Sequence, residues 1–260
     1  MHLFVRNGGS AYISGRIYYF KIYEGNILKR DYIPVLDKDG HPCLFDKAEK
    51  KYYYNESQTE FNYEVAKTTY KDNTGKKYHE ISYLESTGTQ YIDTGVIGKS
   101  GLELDTTILF PIVNGNSSIV SSRNQNNRIY LLHSYPGRFT LGYGNYYSSD
   151  VNIVTNKKYS IYSKLYSGQQ IMKVDDEIIL SKEIQNEINT NLNLYLFGNN
   201  MDGSFSDKAG VRIYDLKLIY NNQLVRDYIP VLDANDRPCL FDKVSKTCFY
   251  NQGTGEFLYG

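Results

Sequence analysis

Two carboxylates placed two positions apart, Glu103 and Asp105, come nearest to catalytic chemistry in this sequence. Alternation along a strand puts both side chains on one face, and paired carboxylates are what enzymes use to cleave glycosidic bonds. A third carboxylate further along the strand would complete a catalytic set, but Thr107 and Ile108 occupy those positions. The pair is therefore interpreted as the polar face of a strand.

Other catalytic patterns do not occur in the sequence. It contains no G-x-S-x-G, no H-E-x-x-H and no G-x-x-x-x-G-K-[ST], the motifs of serine hydrolases, zinc proteases and nucleotide-binding loops. The histidines, His2, His41, His79 and His133, have no recognisable spacing to a cysteine or serine. His133 lies on a predicted strand, where packing or a surface position is expected. We predict no enzymatic activity and no cofactor.

Two loops between predicted strands contain residue types that suit ligand binding. Residues 121–128 read SSRNQNNR, and residues 142–150 read GYGNYYSSD. A sugar site needs an aromatic ring to cover the C–H face of the sugar and planar polar groups to bind its hydroxyls. The same residue types also suit ordinary turns. The predicted ligand-binding residues are Tyr143, Tyr146, Tyr147, Asn126, Arg128 and Asn145.

Oxygen donors crowd residues 198–207, where Asn199, Asn200, Asp202 and Asp207 could surround a calcium ion. The corresponding loop of the internal repeat described below is shorter and has no carboxylate. A metal intrinsic to the repeated module should have its ligands in both copies. We therefore predict no metal site, and leave open whether calcium binds near Asp202 and Asp207.

The cysteines, Cys43, Cys239 and Cys248, make an odd count. Cys43 and Cys239 occupy the same position in the two copies of the repeat, whereas Tyr52 stands where Cys248 would have its counterpart. No C-x-x-C pair is present, which argues against a zinc site. All three cysteines are predicted to be free and mostly buried thiols.

The elements that must hold these residues are predicted to be strands. Apolar and polar residues alternate through most of the chain, as in residues 101–110, which read GLELDTTILF. Only residues 181–190 could hold a helical turn or two. Strands spaced closely without strand–helix alternation indicate an all-β antiparallel sandwich or jelly roll. A C-terminal hairpin, followed by Gly-Thr-Gly-Glu-Phe, is expected to extend it.

An internal repeat organises the chain. Residues 30–63 return as residues 226–259, always 196 positions later, with 20 of 34 positions identical. The match continues upstream but then stops, because the first copy has no more chain. We predict three parts: residues 1–64 are the truncated C-terminal part of a preceding repeat, 65–78 a linker, and 79–260 a complete module. Repeats at this spacing are typical of modular arrays.

Composition excludes some partners. Lysine plus arginine is 29 and aspartate plus glutamate is 29, so the excess of positive charge typical of nucleic-acid binding is missing. No apolar run is long enough for a membrane span, and the N-terminus does not read as a signal peptide. The 27 tyrosines suit half-buried strands, and some of them could serve as stacking platforms for sugars.

Three stretches give the chain a family resemblance. They are YLESTGTQYIDTGV at 83–96, KKYSIYSKLYSGQQIMKVDDEII at 157–179, and the closing strands from residue 193 to residue 233. The module resembles the concanavalin A-like lectin/glucanase superfamily in its laminin-G-like branch. It is also similar to modules of phage tail and bacterial surface-adhesion proteins. The family usually has glycine where Asp176 stands, which puts the geometry of that turn in question.

The resemblance implies a non-catalytic carbohydrate-binding module in an adhesion protein, at the cell surface or on a virion tail, with a surface glycan as partner. The alternative is a spacer module that orients or oligomerises a fibre; a glycoside hydrolase is less expected. Residues 1–64 lack counterparts of most of the sandwich, so their strands need another partner. They are expected to self-associate with a second chain or to fold back on the complete module.

Overall fold

A computed structural model of the protein describes residue 17 and residues 19–56, 60–61, 68–113, 115–166, 168–184 and 186–260. Every regular element within these residues is a β-strand, which confirms the all-β prediction. The chain divides into two compact units, unit 1 from Met1 to Ala66 and unit 2 from Lys67 to Gly260. No helix able to cross a membrane is found in the described part of the chain.

The strands of unit 1 form one four-stranded sheet in sequence order. They are β1 (Phe20–Glu24), β2 (Ile27–Leu36), β3 (Pro42–Asp46) and β4 (Lys51–Tyr53). The strands of unit 2 are β5 (Thr69–Lys71), β6 (Lys77–Glu80), β7 (Leu84–Thr87), β8 (Ile92–Lys99), β9 (Leu102–Leu109), β10 (Ser117–Arg123), β11 (Arg128–Ser134), β12 (Arg138–Tyr143), β13 (Asn145–Asn152), β14 (Lys158–Tyr166), β15 (Gly168–Val174), β16 (Glu177–Ile184), β17 (Asn189–Leu196), β18 (Asn199–Met201), β19 (Ser204–Ser206), β20 (Gly210–Tyr220), β21 (Gln223–Leu232), β22 (Pro238–Asp242), β23 (Thr247–Phe249) and β24 (Leu258–Tyr259).

Unit 2 is a sandwich of two sheets. The eight-stranded sheet runs β13-β12-β11-β10-β17-β8, with β18 beside β10 and β19 beside β18. The twelve-stranded sheet runs β16-β15-β14-β9-β20-β21-β22-β23, with β5, β6, β7 and β24 attached. All pairings are antiparallel except that of β10 with β18. The antiparallel sandwich with a C-terminal hairpin extension is thus confirmed.

The inward faces of the two sheets share one core. In β14, alternation buries Ile161 and Leu165 between the sheets. They meet Leu104 from the same sheet and Ile129 and Leu196 from the opposite sheet in a single cluster. Burying each such side chain contributes about 1.5–3 kcal/mol to folding. This core fixes which face of each strand is left for polar side chains.

The turn between β15 and β16 forms without glycine. Asp175 and Asp176 both adopt positive φ angles, 51° and 69°, a region that aspartate enters more readily than most residues. The Asp175 carboxylate accepts a hydrogen bond from Ser160 N at 3.1 Å and lies 2.9 Å from Lys157 Nζ. These contacts stabilise the turn whose geometry the sequence left in question.

Residues 181–190 contain no helical turn among the residues that the structure describes. β16 continues through Ile184, which pairs with Gly168, and β17 begins at Asn189. Pairing with a neighbouring strand satisfies the backbone groups, whereas a single isolated turn has a costly nucleus and little to stabilise it. The helical expectation for this segment was therefore wrong.

Unit 1 repeats the last strands of unit 2 in the same register. Phe20 pairs with Tyr32 as Leu216 pairs with Tyr228, and the same offset of 196 positions relates the partners of β2, β3 and β4 to those of β21, β22 and β23. Both copies even shift register at the same place, after Ile22 in unit 1. The prediction that the two copies form the same meander and hairpin is confirmed for the described residues.

The segment predicted as a linker is partly structured. β5 and β6 form a hairpin, and His79 and Glu80 of β6 pair with the end of β21. Asn73 at the tip donates its backbone N–H to the carbonyl of Lys246 at 3.3 Å and its side-chain amide to that of Ser245 at 2.9 Å. The hairpin thus belongs to unit 2. Polar composition suggested a linker because the hairpin's apolar contribution is limited to two tyrosines.

Those tyrosines cover a second, smaller core. The rings of Tyr70 and Tyr78 lie 5.4 Å and 5.6 Å from that of Phe241, and Val231 and Cys239 are buried in the same cluster. Cys239, Cys43 and Cys248 are free thiols, the last half-buried, as predicted. The neighbouring Cys248 and burial both raise the pKa of the Cys239 thiol.

Candidate functional site

The face of the eight-stranded sheet turned away from the core carries a group of aromatic and basic side chains. β10 and β11 pair Ser121 with Tyr130 and Ser118 with His133, with a bulge between them. The bulge sends both Leu131 and Leu132 into the core. Tyr130 and His133 are consequently brought to the same outer face, although three positions separate them.

We call the group made by Arg123, Arg128, Tyr130, His133 and Tyr146 the arginine–tyrosine face. Arg128 Cζ lies 5.8 Å from the ring centre of Tyr130 and 5.1 Å from that of Tyr146. The rings of Tyr130 and His133 stack at 4.7 Å with an interplanar angle of 22°. Arg123 faces Arg128 directly across the ladder.

A glycine makes room for this arrangement. Gly142 pairs with Tyr130 on one side and with Tyr146 on the other. A Cβ atom at Gly142 would lie only 2.8 Å from the Tyr130 ring, closer than atoms in contact can approach. The ring of Tyr130 therefore lies over bare backbone, and Tyr146 beyond it remains 45% exposed.

His133 is buried in this face although it points away from the core. It is 3% exposed, and its Nδ1 forms a hydrogen bond with Ser118 Oγ at 2.8 Å. Burial lowers the pKa of His133 to about 4, and the positive charge of Arg128 acts in the same direction. The imidazole is therefore neutral at neutral pH.

The pKa of the Tyr130 hydroxyl depends on burial and on the surrounding charges. Burial raises the pKa of Tyr130 and the carboxylate of Asp207 adds to it, whereas the positive charges of Arg123 and Arg128 oppose it. Both guanidinium groups thus act on the pKa of this hydroxyl. The Asp207 carboxylate accepts hydrogen bonds from the side chains of Asn116 at 2.9 Å and Asn199 at 3.2 Å.

The oxygen donors considered as possible calcium ligands form hydrogen bonds within the protein. Besides the contacts of Asp207, Asn200 Oδ1 accepts the backbone N–H of Gly203, and Asn199 Oδ1 accepts from Ser121 Oγ. Asp202 lies in the turn between β18 and β19 with a φ of 49°. Across the described ranges, no three or more carboxylate, imidazole or thiol groups are clustered to hold a metal.

The structure brings together only some of the predicted ligand-binding residues. Arg128 and Tyr146 are in contact, and Asn126 is exposed in the turn between β10 and β11, with its backbone N–H bound to Asn124 Oδ1 at 3.0 Å. Arg128, Tyr146 and Asn126 therefore lie at one end of the arginine–tyrosine face. Asn145 is exposed at the start of β13 but pairs with the core-facing Tyr143, so alternation directs it to the side opposite Tyr146.

Two predicted tyrosines lie elsewhere. Tyr143 faces the core at 4% exposure, and its hydroxyl is bound to Ser100 Oγ and to the backbone N–H of Ile188. Tyr147 pairs with Leu141, a core residue, and approaches Lys182 at 5.8 Å. Alternation along β12 and β13 is the reason, since Tyr146 and Tyr147 must point to opposite sides. Tyr143 has no ring face free for a ligand, and neither residue belongs to the arginine–tyrosine face.

Sequence reasoning missed Arg123, Tyr130 and His133. Arg123 lies in the loop at 121–128, which was predicted to contribute to ligand binding. Its pairing with Arg128 could be recognised only once the turn at 124–127 was known. For Tyr130 and His133 the usual alternation fails at the bulge. The only usable signal was the presence of Tyr130 and His133 in an otherwise apolar stretch of β11.

The paired carboxylates lie on the outer face of the other sheet. Glu103 is buried and accepts hydrogen bonds from the hydroxyls of Tyr162 and Tyr166, both at 2.5 Å. The hydrogen bond to Glu103 raises the pKa of Tyr166 to about 12. Asp105 lies 4.0 Å from Lys217. Both oxygens of Glu103 are thus engaged by the protein itself, which supports the structural interpretation of this pair.

Comparisons with known proteins connect the chain to others by fold alone. Its sequence matches no model of a protein family and no curated protein. A "putative carbohydrate binding protein" from Bacteroides ovatus is similar in structure, with a TM-score of 0.50 and 12% identity over 70% of this chain. The match spans 60% of that protein's length.

Two further structures resemble the chain more distantly. Domains LG4-5 of the mouse laminin α1 chain give a TM-score of 0.40 and 15% identity, covering 71% of this chain and 49% of theirs. Domain 4 of an extracellular arabinanase from Geobacillus stearothermophilus, in complex with arabinotriose, gives 0.35 and 13%, covering 65% and 85%. At 12% identity, the match to the Bacteroides ovatus protein shows a shared fold and nothing more.

Proposed function

We propose that this protein is a non-catalytic carbohydrate-binding module of a repetitive adhesion or phage tail-type protein, acting outside the cell or on a virion. The observation that carries the proposal is Tyr146. Its ring is 45% exposed, is backed by Arg128 at 5.1 Å, and meets the ring of Tyr135 edge-on at 5.8 Å. A fixed, exposed ring beside polar groups suits the C–H face of a sugar.

The surroundings of Tyr146 supply groups for sugar hydroxyls. Arg128 donates in a planar fork, and the exposed amide of Asn126 in the adjoining turn offers both a donor and an acceptor. The Bacteroides ovatus protein that shares the fold is described as a "putative carbohydrate binding protein", which supports the proposed class of ligand. Glu103, with both oxygens engaged, supports binding over glycoside hydrolysis.

Alanine at Tyr146 is expected to weaken binding to the preferred sugar about tenfold, because an aromatic contact of this kind contributes about 1–2 kcal/mol. Tyr147→Ala, on the adjacent residue of the same strand but outside the face, is the matched control and should bind as the parent chain does. A glycan array identifies the sugar, and isothermal titration calorimetry measures both variants. Equal losses in the two variants, or a loss only in Tyr147→Ala, would move the site away from Tyr146.

A spacer function is the second candidate, and unit 1 favours it. Its strands repeat β20 to β23 in register, yet Tyr23 and Ile27 are 56% and 64% exposed. Apolar strand surfaces of this kind recruit partners. Self-association through residues 1–64 would align the modules of two chains.

Removing residues 1–66 is expected to give a monomer at concentrations at which the full chain forms dimers. The cut keeps the hairpin β5–β6, which belongs to unit 2; a cut after residue 77 would destroy it. Light scattering coupled to size-exclusion chromatography measures the masses. Monomers in both forms across the concentration range would rule out association through unit 1.

A further inference from the structure

Two arginines occupy directly opposed positions at one end of the arginine–tyrosine face. Arg123 and Arg128 form the last pair of the β10–β11 ladder. Like charges directly opposite each other destabilise a pair of strands. Within the residues that the structure describes, no carboxylate lies within 4.0 Å of either guanidinium group. The repulsion at this position is therefore not balanced by an ion pair of the protein.

Arg128 and the turn between the two arginines are nevertheless held in place. Arg128 lies between the rings of Tyr130 and Tyr146. The turn that joins the strands is fixed by Asn124, whose Oδ1 accepts the backbone N–H groups of Asn126 at 3.0 Å and Asn127 at 2.7 Å. The side-chain amide of Asn124 donates to the carbonyl of Thr190 on the neighbouring strand at 2.8 Å. Preorganised donors of this kind lose less freedom when a ligand binds.

Two carboxylates lie in the surroundings of this end of the face, and neither forms an ion pair with the arginines. Asp207, which acts on the pKa of Tyr130, already accepts hydrogen bonds from Asn116 and Asn199. Asp202, whose backbone N–H donates to the Arg123 carbonyl at 3.0 Å, lies in the turn between β18 and β19. His133 contributes no negative charge. A ligand oxyanion placed between the two guanidinium groups would supply the balancing charge. Guanidinium groups bind carboxylate and sulfate oxygens through parallel hydrogen bonds.

We propose that the arginine–tyrosine face binds an acidic sugar, with the carboxylate or sulfate group of the sugar held by Arg123 and Arg128 and its ring stacked on Tyr146. This inference rests on the proposed carbohydrate-binding function and narrows it to acidic glycans. The geometry separates the two contributions: the arginines select the charge, and the tyrosine binds the sugar ring.

Polygalacturonate and its fully methyl-esterified form make a matched pair of probes, because they differ in charge and share the sugar backbone. Dextran sulfate and dextran form a second pair that distinguishes sulfate from carboxylate. In affinity electrophoresis, at least one of the acidic polymers should retard the parent chain strongly. The neutral counterpart of that polymer should retard it much less. Arg123→Gln and Arg128→Gln should each reduce that affinity on the order of tenfold, given charge-assisted hydrogen bonds, and the double variant should abolish the preference for the acidic polymer.

Arg138→Gln is the matched control. Arg138 begins β12, is exposed, and lies 3.7 Å from Asp150. Its replacement by glutamine therefore removes the same charge from the same sheet, away from the end that carries Arg123 and Arg128. It should leave the affinity unchanged; an equal loss in this control would show that only net charge matters and would overturn the inference. Thermal unfolding of each variant checks that the fold is kept.

Two outcomes separate this inference from the proposed function. If neutral glycans bind through Tyr146 as tightly as acidic ones and Arg123→Gln binds them as the parent chain does, the module binds carbohydrate but the acidic class is wrong. If neither the four polymers nor a glycan array gives specific binding, the proposed function fails and the inference fails with it.

Discussion

Replacing Asp242 by alanine is expected to lower the free energy of unfolding by about 3–5 kcal/mol, the usual cost of removing one member of a buried charged network. The carboxylate is completely buried. It accepts the backbone N–H groups of Asp227 at 2.8 Å and Val244 at 3.1 Å, and the Ser245 hydroxyl at 2.7 Å. Arg226 Nε lies 3.7 Å from it. Alanine would leave these donors without partners in a site closed to water.

Urea-induced unfolding of the full chain, followed by near-UV circular dichroism, measures this change. Asp242→Asn should cost less, because its amide oxygen can still accept from Asp227 and Val244. Asp150→Ala, which removes an exposed carboxylate on β13, should change the free energy by less than about 0.5 kcal/mol. A loss below about 1 kcal/mol for Asp242→Ala would show that the carboxylate is not needed for folding.

The same carboxylate shows why the repeat could be predicted from sequence. Asp46 in unit 1 accepts the backbone N–H groups of Asp31 and Ala48, the counterparts of the contacts of Asp242. Asp37 and Asp233 likewise accept hydrogen bonds from the tyrosine hydroxyls of their own copies. Side-chain bonds to nearby backbone depend on local spacing, and identical spacing therefore predicts identical turns.

The candidate site was predictable only in part. The loops containing Arg128 and Tyr146 were found because their residue types suit a sugar. The side of the sheet on which each tyrosine lies could not be predicted in the same way. Tyr143 and Tyr146 are three positions apart on different strands and face opposite ways. A bulge, which no local pattern announces, brings Tyr130 and His133 together. Register and bulges arise from pairing with distant strands, so sequence spacing alone could not define this face.

The hairpin β5–β6 illustrates the same limit for domain boundaries. Its sequence is polar and contains Asp-Asn-Thr-Gly, which predicts a turn and was interpreted as a linker. The turn is present: Asp72 Oδ1 accepts the backbone N–H of Thr74 at 2.8 Å. What the local pattern could not give was the tertiary contact of Tyr70 and Tyr78 with Phe241, which attaches the hairpin to unit 2.

Acidification from pH 6.5 to about pH 4 is expected to lower the free energy of unfolding by up to about 3 kcal/mol through His133 alone. Burial lowers the pKa of His133 to about 4 in the folded protein, whereas an unfolded histidine has a pKa of about 6.5. Between these values the unfolded chain binds the proton and the folded chain does not. The stability from His133 is thus complete above about pH 6.5 and is lost as the pH falls towards 4.

Carboxylates with lowered pKa values overlap only the acidic end of this window. Hydrogen bonds hold the pKa values of Asp72 and Asp233 at about 2, so their contributions are lost progressively below about pH 5. Glu60 raises the pKa of His41, and the contribution of that histidine increases as the pH falls. Neither effect can imitate the loss expected from His133.

His133→Gln separates the titration from the packing of the side chain. The glutamine can still bond to Ser118 but cannot be protonated, so its own cost should be nearly constant with pH. Urea unfolding at pH 7, 6, 5 and 4.5 should show stability falling steeply in the parent chain and much less in the variant. Parallel curves for the two proteins would mean that His133 is accessible to protons in the folded state, and that the recessed, neutral imidazole beside Arg128 is not a property of this face.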